Sequence, residues 1–416
     1  MKIREIYGEE MVRRLLSRQK RESQKLSINT KNTMKKIWPF SFYFLFFGAF
    51  ASLVPFFVIF YQGLGFSGTQ IGLLTGVAPL ITLVAAPLGT GLADATKRHK
   101  LIMGLGLFMA IVLGVVLPAL RSFAAVCVLI ALYNIFMAPV GSLADSATMT
   151  MLGDEKSMYG RIRLGGTFGW GIFAPIAGVL VQHYGLGIGF WMFTAIMVIN
   201  LMVSQKFDYG QSQPEQTSNN GGIWLLLQDK KWIFFLAAAF LSGVGTFSVA
   251  SYLYPYMAEM GATEAQMGIT SLLGTLTELP IFFFGHYLIK RFNARNLFIT
   301  AIALFGIRSL LFAAVDAPAM MYLIQGVSGI IYPMMWIAGV SYADENAPEG
   351  LKSTAQGIFN AVSFGIGSAV SGFIGGILLE SIGGRAMFFV FGVGILVLLA
   401  VIEGARRFVI SRAVLQ

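Results

Sequence analysis

The sequence predicts an all-α protein embedded in a membrane, with twelve transmembrane helices in two six-helix halves. Three observations support this fold class. Hydrophobic residues make up 56% of the 416-residue chain and charged residues only 12%, whereas soluble proteins carry about twice that charged share. Apolar stretches of roughly 20 residues, enough to cross a bilayer, follow one another along the chain. A single polar segment interrupts the series near its middle.

The predicted membrane spans number twelve. They cover residues 37–62, 69–93, 101–120, 123–151, 160–182, 186–204, 231–257, 266–289, 296–315, 318–343, 353–379 and 385–405. Between the sixth and seventh spans lies a segment rich in Gln, Ser, Asn and Gly, a composition typical of linkers. Six spans, a linker and six spans suggest two halves related as a repeat.

The domain organisation follows from this series. It consists of a basic tail (1–36), an N-terminal six-helix half (37–204), a linker (205–230), a C-terminal six-helix half (231–405) and a second tail (406–416). The first span is long enough to cross the membrane. No small-residue cleavage site follows it, so we expect a retained span and not a cleaved signal peptide.

The composition also excludes several classes of function. Cys127 is the only cysteine, so no internal disulfide and no thiolate metal cluster can form. The three histidines show no metal-ligand spacing, and the chain has no GxxxxGK[ST] phosphate-binding loop. We therefore expect no enzyme, no cofactor and no metal site. The net charge of +10 comes from basic residues in alternate loops and at the termini, which favours a lipid bilayer as partner over nucleic acid.

Lysine and arginine residues predict the orientation in the membrane. In the loops they gather on the side of the N-terminal tail, and the opposite loops hold only Arg121 and Arg385. The positive-inside rule therefore places both termini in the cytoplasm. We expect a monomeric integral protein of the bacterial inner membrane.

Four charged residues lie inside spans that are otherwise apolar: Asp145, Arg163, Glu278 and Arg308. A charge near the bilayer centre costs about 2.5–3.5 kcal/mol even on the mildest scale, so chains keep such residues where they line a water-filled path, bind cargo or pair. Asp145 and Arg163 flank one short loop, so we expect an ion pair. Glu278 and Arg308 lie near the middle of spans eight and nine and are expected to meet. The sequence therefore predicts a transporter of a small molecule.

Two loops at matching positions of the two halves carry glycine and basic residues. The first covers residues 89–100, and a degenerate copy covers residues 285–295. The pattern resembles the signature between helices two and three of the major facilitator superfamily, with Lys97 in place of one glycine. Each loop alone also fits a basic cytoplasmic turn. The resemblance implies a loop that takes part in gating, with candidate residues Gly91, Asp94, Arg98 and Lys100.

A more specific resemblance runs through residues 159–179. This segment is similar to helix five of the lactose permease group of proton symporters, which also includes nucleoside and phenylpropionate carriers. In that register, Asp145 matches a carboxylate of helix four, Arg163 a sugar-binding arginine and Trp170 the tryptophan that stacks on the sugar ring. The resemblance implies that these three residues bind the substrate.

The second half carries the rest of the resemblance. Glu278 matches the acidic residue of helix eight, which implies substrate binding and proton coupling, and Arg308 matches the arginine of helix nine. The histidine and glutamate of helix ten are replaced by Ser328 and Ile331, and a lysine of helix eleven by Phe364. The resemblance therefore implies secondary transport by alternating access, with H⁺ coupled through Glu278 and Arg308. Lactose itself and that group's proton relay are not expected.

Each candidate also has a purely structural interpretation. Arg163 lies about one turn from the interface and could snorkel as an anchor. Asp145 could pair with a basic residue for structure alone, Trp170 could be a packing aromatic, and Arg308 could serve only to neutralise Glu278. The predicted cargo is a small polar solute, which could be a sugar, a nucleoside or an aromatic acid. Two other classes stay open: an exporter of hydrophobic drugs, and a non-transporting sensor with a transporter fold.

Overall fold

A computed structural model describes residues 36–209, 226, 228–348 and 351–414. These residues are helical almost throughout. The predicted basic tail, except Lys36, lies outside the described residues, as does most of the predicted linker.

The N-terminal half contains six helices, numbered α1 to α6. Helix α1 spans Lys36–Gly63 and includes one 3-10 turn at Val54–Phe56. The others are α2 (Gly68–Thr96), α3 (His99–Ala119), α4 (Phe123–Met137, continued by Val140–Leu152), α5 (Tyr159–Tyr184) and α6 (Gly187–Ser204).

The C-terminal half contains helices α7 to α12. They are α7 (Lys230–Glu259), α8 (Glu264–Phe292), α9 (Ala294–Ala314), α10 (Pro318–Ser328, continued by Ile331–Asn346), α11 (352–382) and α12 (384–414). Helix α11 contains a π-helical stretch at Ala361–Gly367. Gly383, with φ 76°, separates α11 from α12.

The number of crossings is consistent with the twelve predicted. Ten stretches of the described chain are long and apolar enough to span a membrane, and two of these have 62 and 58 residues. A single crossing needs only about 20 residues, and the two long stretches are broken at Gly153 and Gly383, where φ is 53° and 76°. Each of them therefore provides two crossings. Helix α12 continues to Val414, past the predicted end of its span at residue 405.

Ion pairs at the two ends of the bundle tie together turns that are distant in sequence. At the end where α1 begins, which we call the tail end, Lys36 Nζ lies 2.6 Å from Glu155 Oε2 in the turn between α4 and α5. At the opposite end, the far end, Arg385 Nη2 lies 2.5 Å from Asp316 Oδ1 and joins the α11–α12 turn to the α9–α10 turn. Successive helices thus run in alternating directions.

Helix α5 packs against α1 through the small face that its glycines predict. A methyl group added at Gly165 would lie 2.6 Å from the carbonyl oxygen of Phe40, and one at Gly166 would lie 2.5 Å from the ring of Phe47. A side chain at either position would force the two helices apart, because their backbones approach so closely. This packing fixes the helix that carries Arg163.

The two halves meet through α2 with α11 and through α5 with α8. A methyl group at Gly72 on α2 would lie 2.7 Å from the carbonyl oxygen of Phe373 on α11. One at Gly268 on α8 would lie 2.6 Å from the carbonyl oxygen of Ala174 on α5. Both contacts lie toward the far end, since α2 and α8 begin there.

Hydrogen bonds between the halves strengthen the same end. The backbone N–H of Gly68, at the start of α2, donates to Glu380 Oε2 on α11 at 2.6 Å. The hydroxyl groups of Thr75 on α2 and Tyr252 on α7 lie 3.1 Å apart. These contacts join the two halves at the far end.

Candidate functional site

Asp145 and Arg163 form the ion pair that their positions predict. Arg163 Nη1 donates to both carboxylate oxygens of Asp145, at 2.8 and 2.9 Å. The side chain of Arg163 is 44% exposed and that of Asp145 is 37% exposed. A charged pair in an apolar bundle keeps that much exposure only where it lines a space that water can enter. The pair lies on the side of the N-terminal half that faces the C-terminal half, since Tyr332 on α10 is within electrostatic range of Arg163.

Two tyrosines complete this charge cluster. The buried Tyr43 on α1 donates its hydroxyl to Asp145 Oδ1 at 2.5 Å, and its ring centroid lies 5.7 Å from the guanidinium carbon of Arg163. Arg163 Nη1 also donates to the hydroxyl of Tyr159, one turn earlier on α5, at 2.8 Å. One nitrogen of Arg163 thus makes all of the hydrogen bonds that hold the pair. In the described chain, its Nε and Nη2 form no hydrogen bond to protein.

Trp170 lies two turns after Arg163 on α5, about 10.5 Å along the helix axis. It is half-buried, yet it belongs neither to the hydrophobic core nor to the residues packed against that core. No ring-to-ring contact of Trp170 occurs in the part of the chain that the structure covers. A half-buried indole without aromatic neighbours offers a free face for stacking.

Glu278 lies within α8 and is half-buried. Over the described ranges it forms neither an ion pair nor a hydrogen bond, although it lies within electrostatic range of Arg308. The predicted meeting of these two residues is therefore an approach without a salt bridge. Glu278 remains a carboxyl group inside a span with no cation in direct contact.

The side chain of Arg308 on α9 lies inside the C-terminal half and not between the two halves. Its side chain is buried, with 6% exposure. Nη2 donates to the carbonyl oxygen of Gly245 on α7 at 3.2 Å, and the guanidinium carbon lies 5.0 Å from the ring of Phe305. Its Nε is buried without a partner in the described chain. These contacts suit a fixed positive charge that balances Glu278 better than a residue that touches cargo.

Tyr332 on α10 lies near charged groups of both halves. Its hydroxyl lies within electrostatic range of Glu278 in its own half and of Arg163 in the other half. It is half-buried and stands at the start of the second segment of α10. A hydroxyl group between a cation and a carboxyl group can donate to one and accept from the other.

An aromatic patch lies one turn beyond Tyr332. Trp336 follows it by four residues and so lies on the same face of α10. The ring centroids of Trp336 and Phe364 are 5.4 Å apart, and those of Phe247 and Phe364 are 5.9 Å apart. All three rings are half-buried. The aromatic patch of Phe247, Trp336 and Phe364 thus places an apolar surface beside the charged groups.

The predicted gating loop is the turn between α2 and α3 at the tail end. Lys97 there adopts φ 56°, in the left-handed region that side chains rarely enter, which explains why the superfamily signature has glycine at this position. The matching turn between α8 and α9 has Asn293 with φ 53°. Among the described residues these are the only two non-glycine positions with positive φ. Their correspondence supports the repeat of the two halves.

Among the described residues, the hydrogen-bond partners of Asp94 and Lys100 lie in their own half. Asp94 Oδ1 lies 2.8 Å from His99 Nε2, and Lys100 Nζ donates to the carbonyl oxygen of Gln205 at 3.3 Å. Gly91 and Arg98 are exposed. The loop therefore lies on the tail-end surface of the N-terminal half, apart from the central charges.

Sequence reasoning missed Tyr43, Tyr159 and Tyr332. Tyr159 had a usable signal, because residues four apart on a helix lie on one face and Arg163 follows it by four. Tyr43 lies 102 positions before Asp145, and nothing in an aromatic-rich span distinguishes it from a packing residue. Tyr332 is adjacent to Ile331, the position where the resemblance called for a glutamate.

Comparison with known proteins identifies the family of the chain. A family model described as the MFS_1 like family matches residues 37–391 of the chain. The maltose permease of Geobacillus stearothermophilus is 28% identical over 374 residues, which cover 88% of this chain and 94% of that protein. The probable 3-phenylpropionic acid transporter of Escherichia coli (strain K12) is 23% identical over 350 residues, which cover 82% of this chain and 90% of that one.

A solved structure shows the same fold. The crystal structure of the nucleoside transporter NupG matches with a TM-score of 0.73 at 17% identity, and the match covers 90% of this chain and 98% of that chain. The family match extends over most of the sequence, and each relative matches nearly end to end. The chain therefore belongs to the MFS_1 like family and is a membrane transporter of the major facilitator superfamily, not an enzyme.

Proposed function

We propose that this chain transports a small, neutral, hydroxyl-rich solute, a sugar, by alternating access. The observation that carries the proposal is the cluster of Asp145, Arg163, Tyr43 and Tyr159 on the side of the N-terminal half that faces the C-terminal half. In alternating access, two halves rock about a central site so that it opens to each side in turn. The contacts at the far end correspond to one of these two states.

The charge balance of the site favours a neutral cargo. Asp145 already neutralises Arg163 at 2.8 Å, so no net positive charge is left to hold a carboxylate. The free guanidinium nitrogens of Arg163 can donate hydrogen bonds to the cargo, and the carboxylate of Asp145 can accept hydrogen bonds from it. This combination suits hydroxyl groups, which both donate and accept. Trp170 and the aromatic patch supply apolar faces on which the C–H side of a sugar ring can stack. The relative named a maltose permease supports the same class.

We infer that the transport is proton-coupled symport and that Glu278 carries the proton. It is a half-buried carboxyl group within a span, without a salt bridge in the described chain. Tyr332 lies within electrostatic range of both Glu278 and Arg163. We propose that protonation of Glu278 changes the electrostatic field at Tyr332 and, through it, at the cargo site.

We also infer that the tail end faces the cytoplasm. The lysine and arginine asymmetry of the loops supports this orientation. With the far end closed by α2 with α11 and α5 with α8, the structure then corresponds to the inward-open state.

Counterflow in proteoliposomes tests the proposed cargo. Vesicles with purified protein are loaded with unlabelled maltose, 3-phenylpropionate or uridine and diluted into the labelled form of the same solute. We expect transient accumulation of labelled maltose and none with Asp145→Asn, since this variant removes the negative charge that Arg163 and Tyr43 contact. Accumulation of 3-phenylpropionate alone, or equal maltose counterflow by Asp145→Asn, would contradict the proposal.

A further inference from the structure

A cleft at the tail end of the C-terminal half lies apart from the central site. It has a volume of about 560 Å³ and opens at the turn that joins α8 to α9. Met334 on α10 forms its floor, and Leu297 and Thr300 on α9 form one wall. Leu297 and Met334 are buried, whereas Thr300 is exposed. The cleft therefore runs from the surface into the apolar part of the half.

The mouth of the cleft is positively charged. Lys290 and Arg291 line it and are exposed, and within the described residues neither forms an ion pair. Arg291 is held with its guanidinium carbon 5.5 Å from the ring centroid of Phe292. The nearby Arg295, in contrast, is paired with Glu403. Among the described residues, no acidic side chain lines the cleft, so its two cations have no counter-charge within that lining.

The walls change from polar to apolar with depth. Asn293 and Asn296 lie beside the two cations at the mouth, and Leu288 and Phe292 extend the apolar wall. Phe292 is 49% exposed. An exposed phenylalanine next to two cations at the end of a transmembrane helix fits the boundary between headgroups and acyl chains.

We propose that this cleft binds an anionic phospholipid of the leaflet at the tail end. The phosphate lies between Lys290 and Arg291, and the first part of an acyl chain lies against Leu297 and Met334. Basic pockets between transmembrane helices recognise anionic headgroups in this way. The site does not depend on the cargo of the central cavity.

The N-terminal half provides an internal comparison. Its matching cleft at the α2–α3 turn measures about 330 Å³ and is lined by residues 97–100, Asp208 and Tyr209. The ring of Tyr209 stacks on His99, with centroids 5.5 Å apart. Three of its lining residues are cations, but the carboxylate of Asp208 in the lining and the smaller volume make this cleft less suited to an anionic headgroup. Lipid binding is therefore assigned to the C-terminal cleft alone.

Native mass spectrometry of the purified full chain in neutral detergent tests the assignment. The probes are phosphatidylglycerol and phosphatidylcholine with identical acyl chains. We expect one phosphatidylglycerol to be retained and phosphatidylcholine to be lost. Each basic side chain at an anionic lipid contributes about fivefold in affinity, so Lys290→Gln with Arg291→Gln should weaken phosphatidylglycerol binding about 30-fold.

A matched pair of lysines serves as the control. Lys230 and Lys231 are also adjacent and exposed at a tail-end helix terminus, but they line no part of the cleft. Their replacement by Gln removes the same charge and should leave phosphatidylglycerol binding unchanged. An equal loss in both double variants would show diffuse attraction to basic residues and would overturn the proposal.

A second variant tests the shape of the cleft without changing its charge. Thr300→Trp fills the cleft from an exposed position on α9, so it should reduce phosphatidylglycerol binding while the protein still elutes as a single species. Glycerol 3-phosphate distinguishes a lipid site from a site for a free phosphate and should not displace the lipid. Unchanged binding by Thr300→Trp, or displacement by glycerol 3-phosphate, would contradict the lipid assignment.

Discussion

Within the described chain, Arg163 uses only one of its three guanidinium nitrogens for hydrogen bonds to the protein. Its Nη1 holds Asp145 and Tyr159, and the other nitrogens stay available for cargo. A lysine at this position would keep the positive charge and the ion pair but would lose the planar fork that allows simultaneous contacts on two sides.

We therefore predict that Arg163→Lys lowers substrate affinity while the protein still folds. A hydrogen bond to a charged group is worth about 1.5–3 kcal/mol, which corresponds to a loss of about ten- to 100-fold. Isothermal titration of purified protein with the solute that counterflow identifies measures this loss. Arg161→Lys, an exposed arginine two residues earlier on the same helix, is the control and should bind like wild type. If Arg163→Lys also binds like wild type, Arg163 is an interface anchor.

The central charges and the pairing of Asp145 with Arg163 could be predicted from the sequence, but the contacts of Arg308 and the tyrosine partners could not. Asp145 and Arg163 flank one short turn, so their pairing follows from the chain's path. Glu278 and Arg308 lie on neighbouring helices, yet Arg308 turns toward Gly245 because a buried guanidinium takes the nearest carbonyl acceptor. Such a choice depends on side-chain packing in three dimensions, which periodicity does not contain.

At the scale of single helices, the end of α2 illustrates a local conflict. Lys97 caps α2 in the left-handed conformation. A residue with a side chain has a conformational energy about 1–2 kcal/mol higher in this region than glycine has. We predict that Lys97→Gly stabilises the protein by about 0.5–1 kcal/mol, since glycine also loses more chain entropy on folding. Thermal unfolding in detergent checks this prediction. The neighbouring Thr96→Gly, inside the helix, should instead lower the unfolding temperature.

The contact between α2 and α11 is predicted to set the balance between the closed and open far end. Gly72→Val would place methyl groups against the carbonyl oxygen of Phe373, and overpacking of this kind costs about 1–3 kcal/mol. We expect the far end to open. To measure this, Thr75 is replaced by cysteine in a Cys127→Ser background, and an impermeant maleimide should label this cysteine faster when Gly72→Val is present.

Gly63 supplies the matched control for this contact. It lies at the far end of α1, and a methyl group there would meet no atom within 4 Å. Gly63→Val should label at the wild-type rate. Unchanged labelling in Gly72→Val would show that this contact does not limit opening.

The helices themselves were largely predictable, because long apolar runs have few alternatives in a membrane. Two features were not. The π-helical stretch Ala361–Gly367 leaves no trace in the apolar pattern. Helix α12 continues beyond residue 405 because Glu403, which pairs with both Arg295 and Arg406, gives its polar end partners outside the apolar span.

At the scale of the whole molecule, the two halves carry different parts of the proposed mechanism. The N-terminal half holds the cargo pair Asp145 and Arg163, and the C-terminal half holds Glu278 with Arg308 behind it. Tyr332 lies where the two sets approach each other. We therefore propose that coupling requires both halves to be in place and that the carboxyl group of Glu278 links a proton to cargo movement.

Gradient-driven uptake in proteoliposomes tests this central claim most directly. With an acidic exterior, wild-type protein should accumulate the solute identified by counterflow above its external concentration, and a protonophore should abolish the accumulation. Glu278→Gln, which cannot exchange a proton, should fail to accumulate the solute yet still exchange labelled for unlabelled molecules. Glu345→Gln, an exposed acid at the end of α10, should behave like wild type. Undiminished accumulation by Glu278→Gln would contradict the account and leave Asp145 as the next acid to test.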